Sequence, residues 1–252
     1  MRQNERLAAI LEELGSGRTV VVAELAPRLG VSTTTIRRDL DLLQEQRLLA
    51  RAHGGAVAQG VLYELPLRYK SARRQDEKRR IAEAAAARVA DGASVGLTGG
   101  TTCTEVARAL VDRDGLTVVT NALNIASELA VRPNLRLVVT GGTARPESYE
   151  LVGPIAEQAL EGLRLDVALI GVDGIDVEHG CTTHHEVEAH TNATLITRAR
   201  RVIVVADSTK IGASAFVRIC PIERVDELIT DRSANVRGLR ALREAGIEVS
   251  AV

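Results

Sequence analysis

Two stretches of the 252-residue sequence carry side chains whose types and spacing suit chemistry. The first is STTTIRRDLDLL, residues 32–43. On a wheel of about 100° per residue, Ile36, Leu40 and Leu43 share one helix face, with Thr34, Arg38 and Asp41 opposite and Thr35 and Arg37 flanking them. Short hydroxyl side chains in a first turn, followed by two arginines, suit the DNA major groove. Threonine holds a phosphate or base edge, and arginine bonds a guanine O6/N7 pair bidentately. Asp39 falls nearer the core side, where it serves to orient an arginine. Taken alone, Arg37 and Arg38 fit an ordinary solvated face better than a DNA-reading one.

The second stretch is SVGLTGGTTCTEVARAL. A β-type run passes into Gly99, Gly100, Thr101 and Thr102 and then into a helical pattern. Glycine amides, hydroxyls and the positive end of a helix converge there on a site suited to a phosphate. The competing reading is a tight turn and nothing more. Further turns of the same kind follow later runs: Asn121, then Gly141, Gly142 and Arg145, then Asp173, then Asp207, Ser208 and Lys210. If the runs are parallel neighbours, these turns share one sheet edge and surround a polar pocket.

The elements that must position these residues divide the chain in two. Residues 1–57 read as three short helices and a β-wing: Arg2–Leu14, stopped by Gly15 and Gly17; about Ala23–Leu29, ended by Gly30; and a helix capped by Ser32. RLLARAHGGAV supplies the wing, turning at Gly54–Gly55. Residues 58–75 read as an irregular linker, and 76–252 as alternating helices and continuous apolar strands at 94–98, 116–120, 135–140, 166–172, 201–207 and 226–230. That pattern predicts a mainly parallel α/β sheet covered on both faces, with ligands at the carboxyl ends of its strands. Seven basic residues against three acidic ones over 58–80 suggest a phosphate-facing linker, or equally a solvated helix start.

Composition excludes several classes. Hydrophobic residues at 45% and charged residues at 26% fit a globular protein, and aromatic content of 2% leaves the core to Ala, Val, Leu and Ile. No membrane helix or signal-peptide pattern stands out, so a cytoplasmic protein is expected. The net charge of −1 hides local basic surface. Cys103, Cys181 and Cys220 are odd in number and far apart in sequence, which suggests neither a disulfide framework nor a zinc site.

The run VAELAPRLGVSTTTIRRDLDLLQEQRLLARAHGGAV resembles the helix-turn-helix and wing of the DeoR family of bacterial regulators, in which ELA, LGVS, TIRRDL and HGGA follow in this order. The resemblance implies that Ser32, Thr34, Thr35, Arg37 and Arg38 form the recognition helix and that Arg51 and His53 lie on the wing. Pro27, inside the second helix, departs from the pattern and implies a shortened helix. From about residue 76 the order of motifs resembles the DeoR-family sensor domain, whose fold is akin to ribose-5-phosphate isomerase. The implied architecture is an α+β winged helix-turn-helix followed by an α/β, mainly parallel-sheet sensor. The implied function is a repressor of sugar or carbohydrate metabolism genes, with double-stranded operator DNA and a phosphorylated sugar effector as partners, no membrane, no cofactor and no metal. A homo-oligomer, dimer or tetramer, is expected. The resemblance places Thr101 and Thr102, with Gly99 and Gly100, at the phosphate. Asn121, Asp173, Gly141 and Gly142 surround the sugar, and Lys210 is a cationic partner. Leu97 and Gly100 replace Asp and Ser of a DSGST-type loop, which bears on which effector fits.

The main rival is a sugar-phosphate isomerase using Asp173, Glu186, Glu188 and Lys210, since proton transfer between adjacent carbons needs a positioned carboxylate. An enzyme gains nothing from a sequence-reading module, so catalysis is not expected. His184, His185, Glu188 and His190 crowd together without a zinc-ligand spacing and read as pocket lining or surface. Cys103 reads as a small residue packed behind the phosphate loop. The sequence leaves open the particular sugar phosphate, the operator, and the contacts of Glu186 and Glu188.

Overall fold

In a computed structural model, residues 3–15, 19–46, 48–58, 66–71 and 73–252 are described. The chain forms two compact units, one ending at Arg73 and the other running from Arg74 to Val252.

The first unit contains α1 (Gln3–Gly15), β1 (Val20–Val21), α2 (Val22–Arg28), α3 (Thr33–Glu45), β2 (Leu49–Ala52), β3 (Gly55–Ala58) and α4 (Leu67–Lys70). Leu7, Ile10, Leu11 and Leu14 of α1 recur at helical spacing and pack with Leu25, Ile36, Leu40 and Leu43 in one buried cluster. Pro27 is the sixth residue of the seven-residue α2, and the helix stops one residue later. Gly30 then takes a left-handed φ of 65°. Its amide donates to Pro27 O at 3.3 Å and the Val31 amide to Ala26 O at 3.0 Å, closing the helix end as glycine after a C-cap does. The three strands form an antiparallel sheet in the order β1-β3-β2. The wing turns at His53–Gly54, and Gly55 already belongs to β3. A Cβ on Gly55 would fall 1.8 Å from Val20 O, so the second glycine of HGGA permits a close backbone approach.

Residues 59–65 and 72 of the linker expected over 58–75 lie outside the described residues. Leu67–Lys70 makes a helical turn whose Tyr69 is buried in the first unit's core, with its hydroxyl donating to Gln46. Most of the basic cluster there is engaged internally. Arg73 pairs with Glu12 at 3.0 Å, Arg74 with Asp231 at 3.2 Å and Arg79 with Asp76, while Lys78 is buried.

The second unit contains α5 (Gln75–Ala86), β4 (Ser94–Leu97), α6 (Thr101–Ala109), β5 (Thr117–Thr120), α7 (Leu123–Leu129), β6 (Arg136–Val139), β7 (Thr143–Arg145), β8 (Glu150–Val152), α8 (Pro154–Glu161), β9 (Leu165–Ile170), β10 (Gly174–Asp176), β11 (Gly180–Thr183), α9 (Glu186–Thr197), β12 (Ala199–Val205), β13 (Val217–Cys220), β14 (Glu227–Thr230), α10 (Val236–Glu244) and β15 (Glu248–Ala251). Seven strands form one parallel sheet in the order β15-β14-β12-β9-β4-β5-β6. Each of the six apolar runs expected to be strands lies in it. Two buried clusters cover the sheet, as continuous apolar strands require. From β4 the chain steps to β5 and β6 on one side and later to β9, β12, β14 and β15 on the other. The order reverses between β4 and β9, and open α/β sheets bind ligands at that crevice. Two smaller antiparallel sheets, β7-β8 and β10-β11-β13, were not foreseen in the sequence.

Candidate DNA-reading helix and effector site

Helix α3 is set by its cap and its core face. The Ser32 hydroxyl accepts the Thr35 amide at 3.2 Å and lies 2.9 Å from Thr35 Oγ1. Ile36, Leu40 and Leu43 are fully buried, which turns Thr34, Arg37 and Arg38 outward, all three exposed. Among the described residues neither Arg37 nor Arg38 has an ion-pair partner, so both guanidiniums are free to meet an anion. Arg51 and His53 are exposed on the wing, and Arg51 Nε lies 3.7 Å from Asp41 of α3. Asp39 does orient an arginine, but one on α1. Arg6 Nε donates to Oδ2 at 2.8 Å and Nη2 to Oδ1 at 3.2 Å, a bidentate pair that fastens the reading helix to α1. The carboxylate holds the Arg6 guanidinium above its ordinary value.

At the sheet's carboxyl edge, the loop after β4 is pinned to the loop after β9. The Gly171 amide donates to Thr98 Oγ1 at 3.0 Å. Gly100 has φ 111° and ψ 156°, a conformation essentially reserved for glycine, and it launches α6 with no side chain capping the helix amides. Those amides lie beside the half-buried Thr101 and buried Thr102, donor groups of the kind that suits an anion at a helix start. The Gly99 amide is not part of it: it donates to Glu150 Oε1 at 2.6 Å. Behind the loop, Glu150 Oε2 accepts from Asn192 Nδ2 at 3.4 Å, and Asn192 Oδ1 accepts from Asn121 Nδ2 at 3.1 Å. Asn121 is thus fully buried in a polar chain beneath the loop. Cys103 is fully buried as well, and desolvation pushes its thiol up to about 12, so it packs behind the loop and is no nucleophile.

A second group gathers around Asp173. Lys210 Nζ donates to Asp173 Oδ1 at 3.2 Å, and Thr183 Oγ1 lies 3.2 Å from Asp173 Oδ2 and 2.8 Å from Glu188 Oε1. Arg145 Nη1 donates to Glu188 Oε2 at 3.0 Å, and His184 Nε2 lies 4.0 Å from Asp173 Oδ2. Asp173, expected around the sugar, and Lys210, expected as a cationic partner, lie together as an ion pair. Gly141 and Gly142 have positive φ, and a Cβ on Gly142 would meet Val152 O at 2.9 Å, so this turn lets the β7-β8 hairpin fold back. The hairpin joins the two groups. Its register places Arg145, which reaches Glu188, opposite Glu150, which reaches Gly99. Thr98, Glu150, Thr183 and Asn192 were missed in the sequence. Only Glu150, a carboxylate heading the apolar run Leu151–Val152, left a signal there.

A winged helix-turn-helix followed by a doubly covered parallel sheet with a polar carboxyl edge defines a DNA-binding regulator carrying a sensor unit. The DeoR-like helix-turn-helix domain family matches residues 6–60, and the DeoR C terminal sensor domain family matches residues 73–232. The chain belongs to the DeoR family of transcriptional regulators. It is 37% identical over 247 residues to the HTH-type transcriptional regulator GlpR of Haloferax volcanii, covering 97% of this chain and 96% of that protein. It is 32% identical over 249 residues to the Glycerol-3-phosphate regulon repressor of Escherichia coli K12, covering 99% of each. A solved ribose 5-phosphate isomerase from Methanocaldococcus jannaschii aligns with TM-score 0.41 and 19% identity over 54% of each chain. The protein is a transcription regulator rather than an isomerase. Among the described residues no helix is long and apolar enough to cross a membrane.

Proposed function

We propose that the protein is a cytoplasmic repressor of sugar or carbohydrate metabolism genes, and that a phosphorylated sugar at the sheet's carboxyl edge controls its hold on operator DNA. The observation that carries the effector half is the uncapped start of α6 at the switch point, behind a glycine whose backbone conformation other residues rarely adopt. The phosphate takes the amides and hydroxyls of Gly100, Thr101 and Thr102, with Gly99 shaping the turn. Sugar hydroxyls donate to Asp173 and Glu188, whose carboxylates are acceptors. Lys210 adds positive charge, and Asn121, Gly141 and Gly142 hold the surrounding loops. A relative named for a glycerol-3-phosphate regulon supports a phosphorylated polyol or sugar as the ligand class.

On the DNA side, Thr34, Thr35, Arg37 and Arg38 meet the major groove, Ser32 caps their helix, and Arg51 and His53 approach from the wing. One recognition helix reads only a few base pairs, so a homodimer or tetramer engages paired half-sites. A thermal-shift panel of phosphorylated sugars and polyols tests the effector half. The effector stabilises the full chain by about 2.7 kcal/mol at one hundred times its Kd, and its unphosphorylated parent does not. A panel in which no phosphorylated member outperforms its parent overturns the reading.

A further inference from the structure

The thiols that look unrelated in sequence meet in the fold. Cys181 on β11 and Cys220 on β13 are directly opposite in an antiparallel pairing. Opposite residues of such a ladder project to the same face with Cα atoms about 4.5–5.5 Å apart, inside the span of about 4.4–6.8 Å that a disulfide bridges. Both side chains belong to the same buried cluster, Cys181 at 0% exposure and Cys220 at 5%. Cys103 lies in the other cluster, away from both.

We propose that Cys181 and Cys220 are a reversible oxidation site, a dithiol that small hydroperoxides convert to a disulfide clamping β11 to β13. The two cysteines differ in the way a nucleophile and a resolving thiol differ. The neighbouring Cys181 and the Arg224 charge hold Cys220 below its ordinary value, while Cys220 and burial push Cys181 up. Cys220 is the less deeply buried of the two, at 5% exposure against 0%. Its thiolate sulfur attacks the outer oxygen of the hydroperoxide. The O–O bond breaks, the other oxygen leaves as an alcohol, or as water from hydrogen peroxide, and Cys220 becomes a sulfenic acid. Cys181 sulfur then attacks that sulfur, the S–S bond forms, the S–O bond breaks, and water departs with the Cys181 proton. Two thiols and one hydroperoxide give one disulfide, one alcohol and one water, and a small thiol reverses the reaction.

The clamp falls at a sensitive place. The ladder shifts register between Cys181 and Thr182. Thr182 Oγ1 accepts the Ala215 amide at 2.9 Å, and the next residue, Thr183, touches both Asp173 and Glu188. Fixing β11 at the bulge therefore fixes the strand that supports the Asp173 group. This consequence rests on the sugar-phosphate reading of that group, whereas the oxidation chemistry does not.

The full-length protein is treated with hydrogen peroxide, denatured, alkylated and measured by intact mass and peptide mapping. The expected result is the loss of two of three alkylations, with a cross-linked peptide containing Cys181 and Cys220, and full recovery after dithiothreitol. Cys103→Ala keeps the cross-link, and Cys181→Ala and Cys220→Ala each lose it. Three alkylated cysteines after treatment, stable oxyacids in place of the cross-link, or a cross-link involving Cys103 overturns the proposal. Ligand titration of the oxidised and reduced protein is a separate readout, so an unchanged effector affinity with an intact cross-link rejects only the link to the Asp173 group.

Discussion

Asp231 holds Arg74 at 3.2 Å through Oδ1 and the Ser208 amide at 2.6 Å through Oδ2. Arg74 opens the sensor unit with a left-handed φ of 53°, and Ser208 begins the turn that carries Lys210. One buried carboxylate thus ties the entry of the chain into the sensor to a loop of the effector site. Burial disfavours its charge, but the Ser208 and Ser233 amides and Arg74 outweigh that and lower its pKa below the ordinary 3.8. A carboxylate with a depressed folded value stabilises fully above its unfolded value and loses that contribution as pH falls through the folded one. The gap in melting temperature between wild type and Asp231→Asn is expected to be widest above about pH 5 and to narrow below 3.8. A gap independent of pH contradicts this.

The Arg6–Asp39 pair predicts a separation of stability from reading. Asp39→Ala leaves a guanidinium buried beside α3 without its carboxylate. Breaking such a pair costs about 3 kcal/mol, against less than about 0.5 kcal/mol for an exposed arginine such as Arg38. Urea unfolding of the two variants is the check, and equal midpoints for both contradict it.

The contrast between what the sequence shows and what it hides has a physical basis. The wing, the recognition helix and the six apolar strands are local patterns: Ile36, Leu40 and Leu43 repeat at helical spacing, and runs such as Val202–Val205 are apolar on both faces. Gly30 and Gly54 announce turns with positive φ, and Gly55 a close backbone approach, each of which glycine's lack of a side chain allows. The polar supports come from distant segments. Glu150 meets Gly99 only because β7-β8 folds back, and Cys181 meets Cys220 only through the pairing of β11 with β13, so no spacing in the sequence reveals either.

Gly99→Ala should damage the effector loop alone. Its Cβ would fall 2.3 Å from Glu150 Oε1 and 2.7 Å from Cδ, forcing the carboxylate away from the loop it supports. The variant is expected to lose sugar-phosphate stabilisation in a thermal-shift assay while binding operator normally. Adding Glu150→Ala removes the clash, so the double variant melts higher than the sum of the single losses predicts. Strict additivity counts against the contact.

Arg38→Ala removes an exposed guanidinium opposite the Ile36, Leu40 and Leu43 face. Operator affinity is expected to fall by about 1–3 kcal/mol with discrimination between operator and unrelated DNA reduced, and with the melting temperature unchanged. Fluorescence anisotropy on both DNAs distinguishes this from a solvated residue, for which neither affinity moves.

The central claim is that ligand at the Thr98–Thr102 loop controls DNA binding, and operator affinity measured with and without the sugar phosphate in wild type and Thr101→Asp tests it most directly. A carboxylate at residue 101 occupies the place of the phosphate and repels it, while α3, in the other unit, stays folded. Wild type should change its operator affinity on adding effector by at least about five-fold, the lower end of typical allosteric coupling. Thr101→Asp should bind operator with an affinity that effector no longer alters, fixed at the ligand-free value or, if the carboxylate mimics phosphate, at the ligand-bound one. A variant that still responds at the wild-type effector concentration would contradict the assignment of this loop.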